Sequence, residues 1–175
     1  VCAVNAYGPG PYSTGTSGTP VNATIFSWGS NAAGGLGQNI AYTTNRSSPV
    51  QIGSGNTWYQ VNGSKNGATA AEAFYQAIDL SNKIYAWGAG IYGQLGTGNV
   101  SNRSSPVQIG ALTTWASGSA GNLFSMAIKT DGTLWGTGRN DSGALAQNNL
   151  TNRSSLVQVG TDTDWAKGAC GGESN

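Results

Sequence analysis

Apolar residues in this chain recur at every second position in short bursts, then give way to glycine, serine, threonine and asparagine. In "PVQIG" (49–53), Val50 and Ile52 alternate with Gln51, so a strand formed there has one apolar face. Pro49 and Pro106 are expected at the starts of such strands, where no ladder donor is needed. "YQAIDLSNKIY" (75–85) and "SMAIKTDGTLW" (125–135) each hold two such runs, around Ser81-Asn82 and Asp131-Gly132. Those dipeptides tolerate φ > 0, and each predicts a hairpin. No segment sustains helical periodicity over three turns with capping residues, so the predicted class is all-β.

The bursts repeat. "NRSSPVQIG" stands at 45–53 and 102–110, and "NRSSLVQVG" at 152–160. Aligning Ile25, Ile84 and Leu134 brings Gly29, Gly88 and Gly138 into one column, Gly34, Gly93 and Gly143 into another, and Leu36, Leu95 and Leu145 into a third. The spacings are 59 and 50 residues, and Trp58, Trp115 and Trp165 repeat at 57 and 50. Periods near 50 indicate a propeller blade or a comparable β unit. The units run from about 25–83, 84–133 and 134–175 within a propeller region 21–175.

Trp28-Gly29, Trp87-Gly88, "GQLG" (93–96), the "NRSSPVQIG" phrase, the Trp five residues beyond it and "AIKTDGTLWGTG" (127–138) together resemble the repeats of the regulator of chromosome condensation family. The resemblance implies a seven-bladed β-propeller of four-stranded blades when complete, of which two and a half to three blades are expected here. The chain departs from the pattern where that family commonly has His before the "AI" strand; Tyr75 and Ser125 stand nearby instead. Thr137 and Ala146 leave the Trp and Gly columns. Residues 1–20, "VCAVNAYGPGPYSTGTSGTP", resemble the closing strands and linker of a fibronectin type III module. The two resemblances together lead us to expect part of a longer, multi-module protein that self-associates when expressed alone, through an unpaired blade face. A short chain closing its ring by oligomerising is the alternative.

Composition narrows the function classes. Charged residues make up 9% of the chain, against about 25% in an average soluble domain. The net charge is +1 with no basic run, which argues against nucleic acid as a partner. No apolar stretch approaches the roughly 20 residues of a membrane helix, so no insertion is expected. Histidine is absent, which removes Ser-His-Asp, Cys-His and His-containing zinc arrangements. Cys2 and Cys170 lie outside any metal-ligand spacing, and no metal or cofactor is expected. Asp162 and Asp164 read as a solvated loop rather than an acid-base pair or calcium site, because the same slot is "GSGNTW" and "GALTTW" elsewhere. "GAGIYG" (88–93) fits a dinucleotide-binding glycine pattern, but no helix is predicted to follow.

Columns shared by every unit suit a scaffold: Arg46, Arg103 and Arg153 for structural hydrogen bonds, and Trp58, Trp115 and Trp165 for the core. Recognition is expected where the units differ, in loops on a rigid frame. Asn31, Tyr42, Ile91, Tyr92, Arg139, Asn140 and Asp141 are the candidate contact residues, Tyr42, Tyr92 and Arg139 foremost because aromatics and Arg dominate interface hot spots. Between Trp58 and Ile84 the first unit also carries seven extra residues. The expected function is a non-catalytic recognition or adhesion module binding a protein or glycan, in an extracellular, cell-surface or virion-borne protein. The family resemblance also admits a guanine-nucleotide exchange factor or a β-lactamase-inhibitor-like propeller. A carboxylate-based lyase or glycosidase would need residues beyond those read here.

Overall fold

A computed structural model describes residues 2–6, 23–55, 57–64 and 70–167. Its strands are β1 (Cys2–Ala6), β2 (Ala23–Gly29), β3 (Arg46–Gln51), β4 (Trp58–Gly63), β5 (Phe74–Asp79), β6 (Ile84–Gly88), β7 (Arg103–Gln108), β8 (Trp115–Ala120), β9 (Phe124–Lys129), β10 (Leu134–Gly138) and β11 (Arg153–Gln158). Two three-residue 3₁₀ turns, Ala32–Gly34 and Ala70–Glu72, are the only helical turns among the described residues. The all-β, partial-propeller expectation is what the structure shows.

Within each blade the pairing is antiparallel between sequence neighbours, which makes blades of β1-β2-β3, β4-β5-β6-β7 and β8-β9-β10-β11. A single pair, Ala23 with Trp58, joins the first two blades into one seven-stranded sheet. The sheets begin at the tryptophans, not at the start of the sequence repeat. The repeat 84–133 therefore supplies the last two strands of one blade and the first two of the next, tying neighbours together covalently.

Cys2–Ala6 are hydrogen-bonded to the first blade: Cys2, Ala3 and Val4 face Ser27, Phe26 and Ile25. Gln76, Ala77 and Ile78 face Ala86, Tyr85 and Ile84 in the same register, as Met126, Ala127 and Ile128 face Gly136, Trp135 and Leu134. The segment expected to close a fibronectin-like module thus occupies a propeller strand position, while residues 7–22 lie outside the described residues.

The core lies between blades. Ile25, Ile52, Trp58, Ala77 and Trp87 fill the first seam, and Phe74, Ile78, Ile84, Leu95, Ile109 and Trp115 are among those filling the second. Each large side chain so buried contributes about 1.5–3 kcal/mol. Near the axis, the Gln60 and Asn62 side-chain amides of β4 donate to the Gly118 carbonyl of β8 at 3.2 and 3.0 Å, and Gly118 N–H returns a bond to Gln60 Oε1 at 3.0 Å. Those bonds mark β4 and β8 as the inner strands, with β3, β7 and β11 outermost.

Three local expectations need correction. Pro49 and Pro106 sit fourth in their strands rather than first, opposite a bulge before Gly29 and Gly88 on an outer strand where a missing donor costs nothing. In the hairpins only Asn82 (φ 58°) and Gly132 (φ 79°) are left-handed; Ser81 and Asp131 are not, so each turn has one such residue rather than two. Trp58 and Trp115 are buried, but Trp165 is 39% exposed. Its N–H hooks onto the Gly132 carbonyl at 3.1 Å as Trp115 hooks onto Asn82 at 3.0 Å. Yet no described residue gives it the edge-on ring that Tyr85 gives Trp58 and Trp135 gives Trp115.

Candidate interaction face

The connections after β2, β6 and β10 (30–45, 89–102 and 139–152) leave the same end of the blades. The asparagine that opens the repeated phrase clamps each one. Asn45 Oδ1 accepts from Asn31 N–H at 3.0 Å, Asn102 Oδ1 from Gly90 N–H at 2.9 Å and Asn152 Oδ1 from Asn140 N–H at 2.7 Å. Asn31 and Asn140 form a second clamp. Their Oδ1 atoms accept from Leu36 N–H (3.1 Å) and Leu145 N–H (2.8 Å), and their Nδ2 groups donate to the Ala41 (2.8 Å) and Asn149 (2.7 Å) carbonyls. Both side chains are fully buried. Asn31 and Asn140 therefore belong to the loop architecture and have no surface with which to touch a partner, contrary to expectation.

Gly34 and Gly93 seat these loops against the next blade. Both have φ near +80°, and a Cβ on either would lie 2.6–2.7 Å from the backbone of Arg103-Ser104 or Arg153-Ser154. The arginine column is partly engaged: Arg46 Nε donates to Gln38 Oε1 (3.3 Å) and Arg103 Nη2 to Asn99 Oδ1 (3.4 Å).

The clamps also show which residues occupy the loop tips. Tyr42 and Leu150 each follow the carbonyl bound by the buried asparagine, and Val100 precedes Asn102 as Leu150 precedes Asn152. Tyr42, Val100 and Leu150 are 45%, 59% and 65% exposed. Sequence reasoning found Tyr42 and missed Val100 and Leu150. Tyr42 also reaches across to the next blade, its hydroxyl donating to the Asn102 carbonyl at 3.3 Å. Shallow hollows flank two of the tips, one at Asn39–Tyr42 with Ser104 and one at Gly143–Leu150.

Two further candidates meet. The Arg139 guanidinium of the third blade lies 5.5 Å from the Tyr92 ring of the second, and its Nη2 pairs with Asp141 Oδ2 at 2.7 Å. Exposed Ile91 adjoins them in sequence. Tyr42 belongs to a different loop and does not join this cluster. Asp162 and Asp164 lie in exposed positions in the segment after β11, and among the described residues no three His, Cys, Asp or Glu side chains form a metal-holding group. "GAGIYG" is the clamped loop itself, with Gly90 packed against the Ser101 carbonyl and no helix after it.

Comparison with known proteins agrees with this geometry. Two models of the regulator of chromosome condensation (RCC1) repeat match the chain, at residues 81–128 and 115–144. Residues 81–144 match repeats of this type. Its fold is similar to that of Prp20p from Saccharomyces cerevisiae, with TM-score 0.70 at 14% identity over 85% of this chain and 38% of that one. That structure is described with its binding properties to Gsp1p and histones. The yeast protein (RCC1, Prp20) bound to Kap60 gives 0.63 at 11% identity, over 79% of this chain and 33% of that one. Human WBSCR16 gives 0.52 at 19% identity, over 85% and 51%. The chain thus spans about two fifths of the length of the yeast propeller it matches.

Proposed function

We propose that this chain is a protein-recognition propeller whose partner docks on the face formed by the three clamped loops. The observation that carries this reading is an exposed apolar or aromatic residue, Tyr42, Val100 and Leu150, on the corresponding loop of every blade. A solvated loop gains nothing from such residues, whereas anchors at interface centres are apolar or aromatic. Arg139 over Tyr92 adds a second anchor of the preferred types. The yeast propeller's binding to Gsp1p, histones and Kap60 supports a protein rather than a glycan as partner.

An extracellular, surface or virion-borne setting is part of this proposal; secretion of the native protein to the cell exterior or its presence in particles tests that part. For the face itself, a photo-crosslinking residue is placed at Val100 or Leu150, and at exposed Tyr59 near the opposite end of the blades as control. A partner crosslinked from the first two sites and lost on combined Tyr42→Ser, Val100→Ser and Leu150→Ser substitution is expected; equal crosslinking from Tyr59 would contradict the reading. Acceleration of nucleotide release from a small GTPase would identify the exchange-factor alternative.

A further inference from the structure

The two seams between blades are built from the same columns but filled differently. In the first, Trp87 closes the gap: its ring stacks on Tyr75 at 5.7 Å, and its Nε1–H donates to the Gly35 carbonyl at 3.2 Å. In the second, the residue at that place is Thr137, whose hydroxyl lies 2.9 Å from the Gly93 carbonyl and 2.7 Å from that of Arg153. Threonine makes the polar contact of the indole without its volume.

A second exchange accompanies it. Gln38 accepts from Arg46 Nε at the first seam, whereas the equivalent of Gln38 is the shorter Thr97 at the second. Thr97 Oγ1 and Arg103 Nε are there buried without a partner, as is Trp115 Nε1. Unpaired nitrogens recur on Trp58 and Arg153. What is particular to the second seam is that all three unpaired atoms belong to residues lining one open groove of about 410 Å³.

The groove has the composition of a ligand site. Its walls include Ile109, Trp115, Trp135 and Leu156, and no carboxylate lines it. Lys129, also in the lining, holds its ammonium 3.7 Å above the Trp135 ring and 5.4 Å from that of Trp115. The nearby Asp131 is turned to Thr133, and no ion pair within 4 Å engages Lys129 among the described residues. The two cations, Arg103 and Lys129, beside apolar walls favour an anionic acceptor attached to a flat apolar body, and the volume lies within the range of small-molecule sites.

We propose that this groove binds an aromatic carboxylate, its ring against the apolar wall and its carboxylate drawn to Arg103 and Lys129. The same chemistry is offered by a free aromatic acid and by an aromatic residue at a peptide C-terminus. Calorimetric titration of the whole chain with indole-3-acetate and with N-acetyl-Gly-Trp, each beside its neutral amide, tests both sources. At least one acid is expected to bind ten times or more tighter than its amide; preference for the free acid points to a small molecule, and for the peptide to a chain terminus. Lys129→Gln should narrow the acid-to-amide ratio. Ser155→Trp, which sets an indole at the exposed rim of the groove, should abolish binding without lowering the unfolding midpoint. Arg103→Gln, which removes the second cation, should narrow the acid-to-amide ratio and serves if the tryptophan variant does not fold. Failure of both acids to bind, equal binding of acids and amides, or undiminished affinity in a folded Ser155→Trp or Arg103→Gln protein would overturn the proposal.

Discussion

Trp87 donates its indole N–H to the Gly35 carbonyl across the seam between the first two blades, at 3.2 Å. It has no room to spare: a Cβ on Gly37 would lie 2.7 Å from Trp87 Nε1. Gly37 is thus the complement of the tryptophan ring. Trp87→Ala removes both the packing and the bond, and should destabilise the chain by about 3–5 kcal/mol in denaturant unfolding. Thr137→Ala, at the equivalent buried place in the second seam, should cost only about 1–3 kcal/mol, the loss of a buried hydroxyl contact.

Two glycines with similar backbone angles separate local strain from contact between blades. Gly93 (φ 82°) faces the Arg153-Ser154 backbone at 2.6 Å, while Gly160 (φ 63°) has nothing within 4 Å of where a Cβ would stand. Gly160→Ala should cost the left-handed penalty alone, about 1–2 kcal/mol. Gly93→Ala must in addition push β11 away from the second blade, and its midpoint in thermal melting should fall clearly below that of Gly160→Ala.

At the opposite end, each four-stranded blade carries an acid beside its hairpin, with opposite titration consequences. Burial, then the charge of Asp79 and a 3.3 Å bond to it, raise the Tyr85 hydroxyl above its ordinary pKa. A raised pKa means stability present below the unfolded value and lost as pH rises through the folded one, so alkaline unfolding above about pH 10 should be blunted in Tyr85→Phe. Asp131 is lowered, chiefly by the Thr133 hydroxyl and then its N–H. Its contribution is present above the unfolded value and lost as pH falls through the folded one, and carboxyl NMR titration should place its midpoint under the usual range. Thr133→Val should return most of that shift.

The fold was legible because every repeated column does one mechanical job: Gly88 and Gly138 make room at a bulge, Gly34 and Gly93 admit the next blade, and Trp58 and Trp115 fill a seam. Strand β1 was not legible. Its likeness to the other second strands is confined to Cys2-Ala3-Val4, and pairing across residues 7–22 decides its place. Val100 and Leu150 escaped notice for a different reason. Each is a lone aliphatic residue among polar ones, with no pattern to mark it, and the asparagine clamps beside it place it at the loop tip. Thr137 stood out as a departure from the tryptophan column, but its hydroxyl contact to the Gly93 carbonyl of the second blade appears only when that blade is in place.

Asn140 and Asp141 are adjacent in sequence, and both stood among the expected contact residues, but the structure gives them opposite roles. Asn140 is buried and ties Leu145 N–H to the Asn149 carbonyl. Asn140→Ala leaves those backbone groups without partners, at about 1–3 kcal/mol, and frees the Leu150 tip, so partner binding should weaken although Asn140 touches no partner. Asp141 forms an ion pair with Arg139 at half-exposed positions, 32% and 50% for Arg139 and Asp141. Exposed pairs contribute about 0–1 kcal/mol, so Asp141→Ala should leave the unfolding midpoint nearly unchanged. It also releases Arg139 from its carboxylate beside Tyr92, so any loss of partner affinity in that variant is read from binding, with stability as the internal control. Equal destabilisation by the two substitutions would contradict this division between loop clamp and surface.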